Sequence, residues 1–222
     1  MEAGVNSPEN GSGCQPIVIS APQEKEARQV IKNRCKEIGA KLTEIKQPVR
    51  GLRLKLIGEH QAVNAAVAAA AVKAAKLGVS PAAIKKGLKN TVWPGRCEVV
   101  AKSPLVILDG AQNTASAEAL KRAIEDNFKY SKLLLILGIS RDKDIKGIVN
   151  RLSPLADKII LTKADNPRAV NPEFLAGYFE DKDNYITQGV REARALSKAL
   201  AKKKDLILVT GSLFVVGEYR NE

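Results

Sequence analysis

Leu105-Val-Ile-Leu-Asp109-Gly-Ala-Gln-Asn113 carries an apolar run straight into an acidic residue and a turn of small and amide side chains. An apolar run of this length suits a buried strand of a parallel α/β sheet. The polar turn then falls beyond the strand's carboxyl end. Ligands of open α/β sheets bind there, facing helix N-termini that offer unpaired N–H groups. Asp109 is therefore the first candidate functional residue.

Downstream the same unit recurs. Strand patterns at residues 105–108, 133–137, 158–162 and 206–210 are separated by helical patterns at 116–127, 145–151, 172–179 and 190–203. That alternation predicts right-handed crossovers and a mainly parallel sheet with helices on both faces. The turns after these strands read Gly138-Ile-Ser140-Arg-Asp142-Lys-Asp144, Lys163-Ala-Asp165-Asn-Pro-Arg168 and Gly211-Ser212. Taken singly, each is ordinary turn chemistry. On one sheet edge they form a rim of cations, carboxylates and hydroxyls suited to a phosphorylated or carboxylated small molecule.

Ahead of this half, residues 4–15 read as a loop, 16–20 as a short buried strand, 23–39 as a helix closed by glycine, and 41–45 as a further strand. Leu52-Arg-Leu-Lys-Leu56 alternates apolar and basic residues, the pattern of a strand with one wet face. An Ala-rich helix is expected over 59–76, and another after the Ser80-Pro81 cap. Trp93-Pro-Gly-Arg96 interrupts the pattern as a hinge. It divides the chain into an N-terminal domain, 1–92, and a C-terminal domain, 93–222.

The chain has 222 residues, 45% of them hydrophobic, and a formal charge of +12, ample for a globular core and attractive to anions. Four Phe, four Tyr and one Trp leave little for base stacking, so nucleic acid is disfavoured as a partner. The dense run Lys202-Lys-Lys204 reads as a solvated helix end favoured by the macrodipole. Cys14, Cys35 and Cys97 are odd in number without short spacing, and His60 is the sole histidine, which argues against zinc and disulfide frameworks. The longest Ala-rich run, 62–75, is too short for a bilayer and contains Lys73, and no leader pattern opens the chain. A cytoplasmic location without membrane association is expected. Dinucleotide, P-loop and Ser-elbow motifs are all missing from the sequence.

Five ordered segments carry a resemblance to a known family: Gly58-Glu-His60-Gln61-Ala-Val-Asn64, Trp93-Pro-Gly-Arg96-Cys-Glu98, Ile107-Leu-Asp109-Gly-Ala-Gln-Asn113, Asp142-Lys-Asp144 and Thr210-Gly-Ser212. With Ser20-Ala-Pro-Gln23, they resemble the C-terminal portion of folylpolyglutamate synthase/dihydrofolate synthase, of the Mur ligase superfamily. The resemblance implies a Rossmann-like C-terminal glutamate-binding domain, preceded by a remnant of the central ATPase domain that lacks the P-loop. It implies an ATP-dependent ligase that joins L-glutamate to a folate of the dihydropteroate or tetrahydrofolate type through an acyl phosphate. Magnesium is implied as well, its ligands lying upstream of this chain. ATP contacts fall on Asn64, Arg96 and Asp109, and glutamate contacts on Gln112 and Ser212. No residue is singled out as catalytic.

The chain departs from the family pattern where His-Asn-Pro is replaced by Gln112-Asn113-Thr114, an amide that hydrogen-bonds but carries no proton charge. Glu2 stands where the family has its modified lysine. The expectation is the C-terminal portion of a folate ligase, inactive alone: either a truncated product or one piece of a split enzyme with a separate P-loop half. The alternative is a non-catalytic binding module or partner subunit derived from this half. The plain structural readings are Asn64 as a helix-face amide, Arg96 as a surface charge, and Asp109 as the N-cap of the following helix.

Overall fold

The computed structural model describes residues 15–179 and 182–221. The expected loop over 4–15 lies almost wholly outside them, as do Glu2 and Cys14. The chain divides into two compact units, one of residues up to Leu52 plus Ala62–Leu88, the other of Arg53–Gln61 plus Lys89–Glu222.

In the first unit, β1 (Ile17–Ser20) pairs in parallel with β2 (Lys41–Glu44), and α1 (Lys25–Glu37) connects them. Helix α2 (Glu59–Ala74), whose first turn groups with the second unit, and α3 (Pro81–Asn90) complete the N-terminal elements. Ser80 caps α3 by accepting from the Ala83 N–H at 3.2 Å. Residues 52–56 correct the sequence expectation. Their burial does alternate, but they form no strand. Alternation reports one-sided burial, whereas a strand also needs a neighbour to complete its ladder.

The second unit is built on six strands in the order β3-β4-β8-β5-β6-β7. They are β3 (Glu98–Lys102), β4 (Leu105–Leu108), β5 (Leu133–Leu137), β6 (Lys158–Leu161), β7 (Asn184–Ile186) and β8 (Leu206–Thr210). Only β3 runs antiparallel to its neighbour. All five residues of β5 and all five of β8 are buried, because central parallel strands are covered on both faces. Alternate side chains feed two cores. Ile107, Leu133, Leu135, Leu137 and Leu208 join the core formed with α4 (Thr114–Asn127), α5 (Ile145–Leu152) and α6 (Pro172–Ala176). Val106, Leu134, Ile136 and Val209 join the core formed with α7 (Val190–Leu200) and α8 (Leu213–Asn221). The fold class is as expected, a mostly parallel sheet flanked by helices.

Candidate active site

Because β4, β5, β6 and β8 are parallel, their carboxyl ends share one edge. Asp109 stands there, its own N–H donating to the Val209 carbonyl at 3.0 Å. Its carboxylate accepts the Cys97 N–H at 2.7 Å and the Ala111 N–H at 2.8 Å, one on each oxygen. Cys97 has φ +45, a conformation that costs a non-glycine residue about 1–2 kcal/mol. Asp109 therefore ties the turn before β3 to the turn after β4. The N-cap reading of Asp109 is corrected: Asn113 caps α4, its Oδ1 accepting the Ser116 N–H at 2.8 Å in a reciprocal capping box.

Burial raises the Asp109 pKa, opposed by the Cys97 and Ala111 N–H groups and then by Arg96 and His60. Each carboxylate oxygen still has a spare lone pair, so a ligand hydroxyl can be accepted without breaking the turn. Arg96 lies against the same turn, with Nη1 3.4 Å from where a side chain on Gly110 would begin. His60, given no role from sequence, belongs to this group. Burial lowers its pKa, Asp109 raises it and Arg96 lowers it. Gly58, with φ +108, admits the imidazole: a Cβ there would stand 2.7 Å from the ring. The sequence signal was the Gly-Glu-His segment itself, which acquires meaning only when Asp109 is folded next to it.

Glu98 closes the Trp93-Pro-Gly-Arg96-Cys-Glu98 segment. It accepts the Gly95 N–H at 2.9 Å and Arg220 Nη1 at 2.7 Å, fastening the Arg96 turn to α8. Ser212 is buried at the start of α8, its Oγ accepting the Phe214 N–H at 3.2 Å. Leu213, next in sequence, packs so tightly on Gly110 that a Cβ there would meet its side chain at 2.2 Å. Gln112 is exposed in the turn before α4, and Asn64 is exposed on α2 in the first unit. The structure thus brings Arg96, Asp109 and Ser212 to one edge, with His60 beside them.

Other rim residues serve local turns. Asp144 caps α5 through the Gly147 N–H at 2.9 Å and accepts Thr114 Oγ1 at 2.8 Å. Asn166 accepts the Arg168 N–H at 2.9 Å, and Arg168 lies 5.7 Å from the Phe214 ring centre. Among the described residues, no group of three His, Cys, Asp or Glu side chains could hold a metal ion, and no helix is long and apolar enough to cross a membrane.

A mostly parallel sheet whose carboxyl edge gathers a buried carboxylate, a guanidinium and a helix-initial serine defines an α/β domain with a candidate ligand edge. The chain belongs to the Mur ligase family: residues 95–213, more than half of it, match the family model "Mur ligase, glutamate ligase domain". It is 39% identical over 170 residues to the probable bifunctional folylpolyglutamate synthase/dihydropteroate synthase of Halobacterium salinarum, covering 75% of this chain and 20% of that protein. It is 34% identical over 153 residues to the dihydrofolate synthase/folylpolyglutamate synthase of Escherichia coli, covering 69% and 36% respectively. Escherichia coli FolC in complex with DHPP and ADP superposes with a TM-score of 0.81 at 28% identity, over 93% of this chain and 53% of that one. Mycobacterium tuberculosis folylpolyglutamate synthase complexed with ADP gives 0.83 at 25% identity, over 92% and 54%. The chain thus spans about half the length of these solved relatives.

Proposed function

We propose that this chain supplies the nucleotide-closing and glutamate-binding half of an ATP-dependent folate:glutamate ligase, a half that is inactive alone. The carrying observation is the Asp109 turn, where a buried carboxylate with spare lone pairs stands beside the Arg96 guanidinium on the carboxyl edge of the sheet. Arg96 neutralises phosphate oxygens, Asp109 accepts from ribose hydroxyls, and Asn64 adds an amide to the nucleotide. Gln112 and Ser212 take the incoming L-glutamate. The residues present suit a nucleotide better than its metal, so the magnesium ligands are assigned to the P-loop half of such a ligase. ATP supplies activation of the folate carboxyl as an acyl phosphate. This chain's part is positioning and charge neutralisation about the 93–96 hinge between domains 1–92 and 93–222.

A separate half is supported by the first unit. Among its described hydrophobic residues only Cys35 on α1 and Ala65 on α2 are buried, while Ile17 on β1 is 44% and Val30 on α1 68% exposed. Parallel sheets are otherwise covered on both faces. The occupied state of Asp109 favours a second reading, a non-catalytic binding module in which that carboxylate only holds the turn.

The deciding measurement is calorimetric titration of the pure chain with ATP and L-glutamate, together with glutamate-dependent phosphate release. Binding without turnover, weakened by Arg96→Ala, is expected. Adding the P-loop half of a folylpolyglutamate synthase relative should then restore turnover. Binding of neither ligand leaves only the module reading, and turnover by the chain alone, abolished by Asp109→Ala, refutes its inactivity.

A further inference from the structure

The opposite edge of the same sheet carries a second collection of charge. The turns leading into β5 and β8, and the end of β3, form a groove of about 550 Å³ lined by Lys102, Lys129, Lys203 and Lys204 together with Tyr130 and Asp205. That volume is of small-molecule size. It is separated from the Asp109 edge by the length of a strand, about 15 Å.

The lysine-bearing segments are held by main-chain bonds rather than left loose. The Ser131 N–H donates to the Lys204 carbonyl at 2.9 Å, the Leu105 N–H to the Asp205 carbonyl at 2.9 Å, and the Leu206 N–H to the Lys132 carbonyl at 2.9 Å. Ser103 Oγ donates to the Lys203 carbonyl at 3.2 Å. Backbone order set before binding lowers the entropy the site loses when a ligand binds.

Helix C-termini account for some of these lysines but not all. Helices α4 and α7 end near this edge, at Asn127 and Leu200, and each end carries about half a negative charge. Asp205 is 4% exposed, and its Oδ2 accepts the Lys202 N–H at 2.8 Å. Glu125 and Asp157 also act on Tyr130, and Lys132 and Lys202 flank the lining residues, so six ammonium groups stand against three carboxylates and two helix ends, an excess of about two positive charges. None of the four lining lysines is in an ion pair among the described residues. Like charges around one groove repel, and a compact anion relieves that repulsion.

We propose that this groove is a binding site for a small anion bearing two or more phosphate groups, free or on a nucleotide, distinct from the Asp109 edge. Lysine ammonium groups bind phosphate as point charges and require no planar geometry.

The test is calorimetry of the whole chain with inorganic pyrophosphate at low salt. Pyrophosphate should bind, at least tenfold more weakly in the K203E/K204E variant and about threefold more weakly in K203A/K204A. K85E/K86E, which removes the same charge from α3, should match the parent within about twofold, and the dependence on Lys203 and Lys204 should persist in an Arg96→Ala background that removes phosphate binding at the Asp109 edge. ADP added to Arg96→Ala identifies the source: binding with the same lysine dependence means nucleotide-borne phosphate, and refusal of ADP means the free anion, each in keeping with the site. No pyrophosphate binding, equal loss in K85E/K86E, or complete loss of pyrophosphate binding in Arg96→Ala overturns the proposal. So does binding of a 20-nucleotide single strand without pyrophosphate.

Discussion

Asp109 carries a charge to a place where burial opposes ionisation, and two backbone N–H groups answer it. Asp109→Ala leaves both N–H groups without their acceptor, which should cost about 2–4 kcal/mol in urea unfolding. Its folded pKa is raised, so the folded state binds the proton more tightly than the unfolded chain. Its contribution is therefore full below the ordinary carboxylate range and is lost as pH rises through the raised value. The stability of the parent relative to Asp109→Asn should accordingly improve as pH falls, measured by thermal unfolding between pH 3 and 7. His60, the only histidine, reports the same group by NMR. Its imidazole should titrate below the ordinary histidine value, lower still in Asp109→Asn and higher in Arg96→Ala. A His60 titration unmoved by either substitution would separate it from the site. The importance of Asp109 was legible because an acid ending an apolar run is conspicuous. Its two N–H partners were not, since one belongs to Cys97, in an unusual backbone conformation twelve residues earlier.

At the scale of elements, the buried strands were legible and the edges were not. Runs such as Leu133–Leu137 admit few other readings once turns bound them. Strand β3 escaped notice because Val99 and Val100 are 37% and 44% exposed on an edge, and β7 because it has only three residues. The β-branched pair Val215-Val216 in the first turn of α8 also hid a helix. Close approach between elements is set by glycines whose reason lies in space. Gly211 has φ +97, and a Cβ there would stand 2.5 Å from the Gly138 carbonyl oxygen. Gly211→Ala should cost about 3 kcal/mol from backbone strain and overpacking, with the cores on either side otherwise intact by heteronuclear NMR.

For the molecule as a whole, the two units differ in how much they bury. The second holds two contiguous apolar cores, whereas the first buries only Cys35 and Ala65 among the described hydrophobic residues. Opening free energy follows buried contacts, so amides of β1 and β2 should exchange with solvent at least about 100-fold faster than those of β5 and β8. Equal protection by hydrogen exchange would show that the first unit is a complete domain, and would remove a support for a missing half. Sequence alone determined the alternation of strands and helices, the shared edge and the identity of the polar residues delivered to it. Those follow from local periodicity and from the fixed polarity of parallel strands. Only the tertiary structure decided that His60 joins Asp109, that Asn113 is the helix cap, and that lysines as far apart as Lys102 and Lys204 share one groove. Such groupings depend on strand order, and no local pattern encodes which strands become neighbours.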